Sequence, residues 1–180
     1  SEQQSDHLVL AAALQGWIDA NAYSGKSSAI KYAGKFKMSV QNINIIMEMR
    51  EQFATMLEDI GLAQRPGPGQ DSSGFRWYDS DTCPQNLHKS SPSILRSVLV
   101  ASLYPRVALM DQVIPGSSPT WHDGNGPVAI HPSSILSSLS AGSFQQPFLV
   151  YSEKMKTSKV FLRDCSVASP LSILLFGRHV

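Results

Sequence analysis

The stretch FLVYSEKMKTSKVFLRDCSVASPLSILLFG, residues 148–177, constrains the fold more than any other part of this 180-residue chain. Four of its apolar residues lie at a spacing of two: Phe148 and Val150, then Val160 and Leu162. This spacing is typical of strands with one buried face. Residues 152–158 form a polar break between the two runs. The pattern predicts a β-hairpin, and an apolar run follows it.

The turn of this hairpin is rich in positive charge. Four cations fall within ten residues: Lys154, Lys156, Lys159 and Arg163. Like charges at this density repel one another unless they are solvated or face an anion such as a phosphate backbone. A solvated turn is the simpler interpretation, since lysine commonly protects exposed strands against aggregation. Contact with RNA is the alternative.

The chain as a whole carries little net charge. Fifteen basic and 14 acidic side chains give a formal charge of +1, so no global field attracts the protein to nucleic acid or to a membrane. Any nucleic-acid site must therefore be local, with modest and salt-sensitive affinity.

The cysteines and the N-terminus indicate the class of protein. Cys83 and Cys165 lack the spacing of a disulfide framework or a zinc site. The apolar residues 8–14 are too few to span a bilayer and lack the basic flank of a signal peptide. We therefore expect an intracellular protein with no membrane anchor and no bound metal.

The first 62 residues have the periodicity of helices. Ser5 or Asp6 is suited to cap a first helix. A second helix is predicted over Val40–Asp59, with Ser39 as its cap and Gly61 at its C-terminal end. The predicted apolar face of the first helix is Leu8, Ala11, Ala12, Gln15 and Ile18, and that of the second is Ile43, Ile46, Met47, Phe53, Met56, Leu57 and Ile60.

Residues 23–37 join these helices and combine lysines with aromatic side chains. The set is Tyr23, Lys26, Lys31, Tyr32, Lys35, Phe36 and Lys37. The spacing favours a basic connector with a short helix, and an RNA-facing element is the alternative.

The middle of the chain, residues 63–92, is dense in Pro, Gly, Ser and Asp, which predicts a long, partly flexible loop. Trp77 and Tyr78 lie within it; we expect them to fix the loop to a core rather than to stack on bases. SILRSVLVASLYP, residues 93–105, predicts a short helix stopped by Pro105. Its core-facing residues are predicted to be Ile94, Leu95, Val98, Leu99 and Leu103, and strands follow from Arg106 onward.

Several motifs recur in the order found in one protein family. They are SDHL at residues 5–8, QGW at 15–17, REQ at 50–52, LVASLYPRVA at 99–108, IHPSS at 130–134, KTSK at 156–159 and RDCSVASPLSILLFG at 163–177. In this order and spacing the chain resembles the C-terminal helicase-associated, ratchet-like helical region and OB-fold of DEAH-box/RNA-helicase-A-type RNA helicases. IHPSS and the block from KTSK onward are the most specific.

The resemblance implies an α+β fold, with an N-terminal helical bundle module over residues 1–105 and a small antiparallel β-barrel, the OB-fold, over 106–180. The family's OB-fold continues past LLLFG, so we expect a barrel truncated at its C-terminus. The family's Trp-Cys pair is replaced here by Tyr32, Ala33 and Phe36. No phosphate-binding loop or DEAH sequence occurs, so ATP and Mg²⁺ are expected in the motor domains of the parent protein and no cofactor in this chain.

For function, the resemblance implies an accessory region that contacts single-stranded RNA through its backbone and helps to close an RNA channel over the motor domains. The implied RNA-binding residues are Lys156, Thr157, Ser158, Lys159 and Arg163, followed by His131 and Ser133. The His-Pro-Ser-Ser turn is equally suited to capping a loop. The alternative function is a protein-interaction module that docks the helicase on a cofactor or ribonucleoprotein particle. A hydrolase is disfavoured, because no nucleophile motif is present.

Overall fold

The computed structural model describes residues 4–65, 76–79, 83–111 and 116–177. These residues form two compact units, one of Ser1–Leu10 with Ser91–Val180 and the other of Ala11–Ser90. We call them the barrel unit and the helical unit. The barrel unit is discontinuous in sequence, so its first residues precede the helical unit along the chain. No helix in the described ranges is long and apolar enough to cross a membrane.

The first helix, α1 (Asp6–Lys35), is interrupted at Gly25, where φ is 78° and ψ is 174°. Such a conformation is open to glycine because it has no Cβ. Beyond the interruption the chain folds back on the first part of the helix. Tyr32 then lies so close to Gly16 that a Cβ added at Gly16 would be 2.1 Å from the Tyr32 hydroxyl. The predicted connector at residues 23–37 is thus largely helical. Of the predicted apolar face, Leu8 and Ile18 are buried, whereas Ala11, Ala12 and Gln15 are exposed.

The second helix, α2 (Val40–Asp59), begins and ends as predicted. The Ser39 hydroxyl accepts the Asn42 N–H at 3.3 Å. At the other end, the N–H groups of Gly61 and Leu62 donate to the carbonyls of Glu58 and Leu57, each at 2.9 Å, in a Schellman arrangement. The predicted single apolar face is wrong. Ile43 and Met47 are buried in a cluster with Ile18 and Ala33, whereas five of the predicted positions are exposed: Ile46, Phe53, Met56, Leu57 and Ile60.

The described part of the predicted loop at residues 63–92 contains two short 3₁₀ helices, Trp77–Asp79 and Pro84–Asn86. Trp77 is buried with Ala54, Ala63 and Cys83, in agreement with its predicted anchoring role. The REQ motif contributes two ion pairs to the same region: Arg50 with Asp79 at 2.5 Å, and Glu51 with Arg76 at 3.2 Å. Residues 66–75 and 80–82 of the predicted loop lie outside the described residues.

The barrel unit contains a five-stranded barrel, as the predicted OB-fold requires, but the barrel is closed rather than truncated as expected. Its strands are β1 (Val107–Met110), β2 (Trp121–His122), β3 (Pro127–Ile130), β4 (Phe148–Lys156) and β5 (Val160–Ala168). They close in the order β1-β2-β3-β5-β4. All neighbours are antiparallel except β3 and β5, which run parallel with Ile130 opposite Leu162. The barrel is therefore mixed rather than wholly antiparallel.

The long strands β4 and β5 are buried on both faces where they form the barrel. The sequence pattern predicted only one buried face. Leu149, Tyr151 and Val167 line the barrel core with Trp121. Val150 and Ala168 pack on the other face with Val100 of α3 (Pro92–Leu103). The second apolar layer explains why α3 belongs to the barrel unit, although the predicted boundary fell between residues 105 and 106.

The apolar face predicted for α3 needs correction. Val100 is fully buried, and Leu99 and Leu103 pack beside it. Ile94 and Val98 are exposed instead. A second short helix, α4 (Pro170–Phe176), lies against α3 and contributes Ile173 to the same apolar layer.

The N-terminal segment, residues 4–7, is bound to the barrel by side-chain and backbone hydrogen bonds. Ser5 forms an isolated antiparallel bridge with Ser166, and the hydroxyls of the two residues are 2.6 Å apart. The Val167 N–H donates to the Gln4 carbonyl at 2.9 Å. Ser5 also caps α1, because its hydroxyl accepts the Leu8 N–H at 3.1 Å. The SDHL motif therefore begins a helix and completes the barrel unit at the same time.

Candidate nucleic-acid interface

The β4–β5 hairpin ends in a short turn that contains the predicted RNA-contacting residues. The last paired residues are Lys156 and Val160, so β4 continues well into the predicted polar break. The turn itself is residues 157–159, which we call the hairpin tip. The Thr157 N–H donates to the Lys159 carbonyl at 2.8 Å and closes the tip. Lys156 and all three tip residues are exposed.

Two of the four cations predicted to crowd this hairpin are paired with carboxylates. Lys154 forms an ion pair with Asp123, whose side chain is 1% exposed. Arg163 lies 3.8 Å from Glu153, its partner in the β4–β5 register. Pairing lowers the positive potential that either cation can offer to a phosphate.

The Lys154–Asp123 pair also changes the titration of both groups. Burial raises the pKa of Asp123, but hydrogen bonds from Lys154 and from the Asn125 N–H outweigh it and hold that pKa below its ordinary value. The hydrogen bond to Asp123 raises the pKa of Lys154. Lys154 is therefore a fixed structural cation at neutral pH.

Lys156 and Lys159 differ from these two cations. Neither forms an ion pair with a carboxylate within the described ranges of the chain. Both are exposed and are separated only by the hydroxyl residues Thr157 and Ser158. Two solvated ammonium groups with intervening hydroxyls and backbone N–H groups can hold a phosphate without reading a base.

The IHPSS segment lies beside the hairpin because β3 runs parallel to β5. The His131 N–H donates to the Leu162 carbonyl at 2.9 Å, and the His131 ring meets the Phe161 ring edge-on at 5.7 Å. The Ser133 N–H donates to His131 Nδ1 at 3.1 Å. Nδ1 is therefore an acceptor, so a neutral His131 carries its proton on Nε2.

The two serines of IHPSS differ in burial and in their contacts. Ser134 is buried, and its hydroxyl accepts the Leu136 N–H at 3.1 Å, which is the loop-capping role. Ser133 is exposed, with its hydroxyl 2.7 Å from His131 Nδ1. The structure thus brings His131 and Ser133 beside the strand that leaves the hairpin tip.

Comparison with known proteins now adds to this geometry. A sequence model of the oligonucleotide/oligosaccharide-binding (OB)-fold matches residues 95–180. The chain is 34% identical to the DExH-box ATP-dependent RNA helicase DExH4, chloroplastic, of Arabidopsis thaliana, over 100% of this chain and 13% of that protein. It is 27% identical to human ATP-dependent DNA/RNA helicase DHX36, over 99% of this chain and 17% of the relative. The chain is 30% identical to the putative ATP-dependent RNA helicase DHX57 of Mus musculus, over 96% of this chain and 14% of that protein.

The chain belongs to the DEAH-type RNA helicases and matches their C-terminal OB-fold region. It spans only 13–17% of the length of these relatives. The family predicted from the motifs is therefore confirmed, and so is the α+β fold with a helical part and a barrel.

In this helicase region, Phe161 is a candidate that the sequence analysis missed. It is half-buried, two residues beyond Lys159, and its ring contacts His131. An aromatic ring beside a basic turn is a common platform for an unpaired base. The sequence signal was present, because Phe161 has the opposite strand parity to the apolar residues Val160 and Leu162.

The other lysine-rich part of the helicase region, residues 23–37, also exposes cations, and Lys31 and Lys35 lie four positions apart on one face of the helix. Tyr32 and Phe36 pack together with ring centroids 4.6 Å apart, and the Lys35 ammonium lies 5.3 Å from the Phe36 ring. Lys26 is nine residues from Lys35, and this spacing places it on a different side of the helix. The hairpin tip differs because Lys156 and Lys159 flank two exposed hydroxyl residues in one short turn, which makes it the better candidate for phosphate contact.

Proposed function

We propose that this helicase region contacts the backbone of single-stranded RNA through the hairpin tip and helps to close one side of an RNA channel over the motor domains of its parent protein. Lys156 and Lys159 are the principal phosphate contacts. Thr157 and Ser158 add hydroxyl donors. His131, Ser133 and Arg163 are secondary contacts around the tip.

The observation that carries this proposal is the contrast between paired and unpaired cations on one hairpin. Arg163 is balanced by Glu153 and Lys154 by Asp123, whereas Lys156 and Lys159 are solvated and close in sequence. In a chain of formal charge +1, such a local cluster is the kind of feature that attracts a polyanion. Backbone contact of this kind carries no sequence preference.

The parent protein supplies the chemistry in this proposal. ATP and Mg²⁺ bind to motor domains outside residues 1–180, and the present region binds RNA without hydrolysing ATP. The names of the relatives include ATP-dependent RNA helicase and ATP-dependent DNA/RNA helicase, which supports assigning the parent to that activity.

Fluorescence anisotropy with a labelled single-stranded oligo-U at two salt concentrations tests the proposal. We expect the unmodified region to bind more weakly at the higher salt concentration, and Lys156→Glu/Lys159→Glu to lose at least ten-fold in affinity. The matched control is Lys26→Glu/Lys31→Glu, which changes the charge equally at exposed sites of the helical unit. Circular dichroism verifies that each variant is folded.

Two results would contradict the proposal. Equal losses in both double variants would mean that the hairpin tip has no special role, because either net charge alone or an additional contact of residues 23–37 would then account for binding. No binding by a folded, unmodified region would favour the protein-docking function for these residues instead.

A further inference from the structure

The middle of the hairpin tip carries an exposed serine whose hydroxyl is free. Ser158 is exposed, and its side chain forms no hydrogen bond with any residue in the described part of the chain. Its neighbour Thr157 differs, because the Thr157 hydroxyl donates to the Lys159 carbonyl at 3.5 Å. Strand pairing ends at Lys156 and Val160, and the end of a hairpin opens at low cost. A modifying enzyme can therefore reach Ser158 in an extended segment.

Lysines flank this serine on both sides. Lys156 lies two positions before it and Lys159 one position after it, and neither has a carboxylate partner within the described ranges. Protein kinases select many substrates by charge, because carboxylates in the substrate groove of the kinase attract lysine or arginine beside the serine. The hairpin tip offers such a groove two unpaired cations and a free hydroxyl.

Three other serines have a lysine two positions before them, but each lies in a less suitable place. Ser28 is half-buried inside α1, where the backbone is held in helical hydrogen bonds. The Ser39 hydroxyl already accepts the Asn42 N–H and caps α2. Ser91 is half-buried at the start of α3. Among these four serines, Ser158 alone is both exposed and without a side-chain partner.

We infer that Ser158 is a phosphorylation site, through which a protein kinase with an acidic substrate groove turns off the RNA contact of the hairpin tip. The inference rests on the proposed function, because it concerns the regulation of that same contact. In the reaction, Ser158 Oγ attacks the γ-phosphorus of ATP and forms an O–P bond, while the bond from that phosphorus to the bridging oxygen breaks. The electron pair leaves with ADP, and the hydroxyl proton passes to a carboxylate of the kinase.

The added phosphoryl group would cancel the charge of the hairpin tip. A phosphoserine carries about −1.5 to −2 charges at pH 7, so the tip, with two lysines, would become nearly neutral. The phosphate would also compete for the same ammonium groups, since Lys156 and Lys159 flank it in sequence. Lys154 and Arg163 offer little replacement, because each already has a carboxylate partner. A tip that holds its own phosphate has little affinity left for that of RNA.

The first part of the test measures whether a kinase modifies Ser158 in the folded chain. The 180-residue chain is incubated with ATP and the catalytic domain of protein kinase C, a kinase that selects basic substrates. Phosphopeptide mass spectrometry then gives the modified fraction at each serine. We expect Ser158 to be modified at least ten-fold faster than Ser28, Ser39 or Ser91, and the double variant Lys156→Gln/Lys159→Gln to lose most of this rate. Equal rates at the four serines would overturn the inference.

The second part measures RNA binding when position 158 carries phosphoserine, which is introduced during translation so that modification is complete. The matched control carries phosphoserine at position 118, because Ser118 is exposed in the same unit and lies outside the hairpin. Both forms have the same net charge, and circular dichroism verifies that both are folded. In the oligo-U anisotropy assay we expect an affinity loss of about ten-fold for position 158 and less than about two-fold for position 118.

The outcomes separate this inference from the proposed function. Equal affinities of the two phosphorylated forms would overturn the inference, while binding by the unmodified chain would still support the proposed function. No binding by the unmodified chain would contradict the proposed function, and the regulatory inference with it. The phosphorylation rates are read without RNA, so they report on access to Ser158 in either case.

Discussion

The Asp6 carboxylate accepts the backbone N–H of Cys165 at 2.8 Å across 159 residues of sequence. Its other oxygen accepts the N–H of Ile135 at 3.0 Å. Asp6 is 7% exposed, so the carboxylate replaces water for two backbone donors of the barrel unit. A charge at the start of α1 is also favourable, because the helix dipole is positive there.

Replacing Asp6 with alanine should destabilise the barrel unit strongly. Two buried N–H groups would lose their acceptor, and we expect a loss of about 3 kcal/mol in the free energy of unfolding. Urea unfolding followed by circular dichroism measures this. The control, Asp111→Ala, removes an exposed carboxylate of the same unit and should change stability by less than about 0.5 kcal/mol. Similar losses in the two variants would show that the Asp6 contacts are not specific.

The free energy of unfolding should fall as the pH is lowered through the range where His7 takes up a proton. His7 Nδ1 lies 2.7 Å from the Ser166 hydroxyl and Nε2 lies 2.8 Å from that of Ser152. Burial lowers the pKa of His7, although the charges of Asp164 and Asp6 oppose the shift. The unfolded chain therefore takes up the proton more readily, so the stabilisation is present above about pH 6.5 and is lost as the pH falls through the lowered folded-state pKa.

Urea unfolding between pH 7.5 and 5.5 measures this dependence. We expect the slope of stability against pH to decrease in His7→Gln, with a cost of about 1 kcal/mol at pH 7.5 from the disturbed serine contacts. The matched control is His122→Gln, which removes an exposed histidine of β2. A slope that is the same in His7→Gln and the unmodified protein would rule out His7 as its source.

Two glycines of α1 should respond to alanine in opposite ways. At Gly16 the added Cβ would lie 2.6 Å from the Tyr32 ring carbon that carries the hydroxyl, whereas at Gly34 nothing lies within 4 Å. Gly16→Ala should destabilise the helical unit by about 1–3 kcal/mol through overpacking. Gly34→Ala should stabilise it by about 0.5–1 kcal/mol. Thermal unfolding of the two variants decides this, and a neutral Gly16→Ala would mean that Tyr32 moves without cost.

The salt dependence of RNA binding should separate paired from unpaired cations. Each phosphate contact on a single strand contributes about 0.7 to the slope of log affinity against log salt. Lys156→Gln and Lys159→Gln should each reduce that slope by about 0.7. Arg163→Gln should reduce it by less, because Glu153 already balances this cation. Anisotropy titrations at four or more salt concentrations provide the slopes, and a larger effect of Arg163→Gln would move the main contact away from the tip.

Local periodicity predicted most of the helices and strands, but not which of their faces are buried. The bounds of α2 and its cap at Ser39 follow from residues next to each other in sequence. Its buried face does not, since Phe53 and Met47 are both apolar and only the tertiary fold decides which is covered. Likewise the cluster of four cations on the hairpin was visible, whereas the pairing of Lys154 with Asp123 depends on a residue 31 positions away. The contacts of His7 with Ser152 and Ser166 have no local signal at all.

The discontinuous barrel unit has a consequence for the order in which the protein assembles during synthesis. Ser5 is made before its partner Ser166, which comes 161 residues later. At about 5–20 residues per second, the ribosome needs roughly 8–30 seconds to add that stretch. The sequence of the helical unit is made in the meantime, so residues 4–7 wait without their barrel partners until β5 is made, and a nascent-chain chaperone would meet them there.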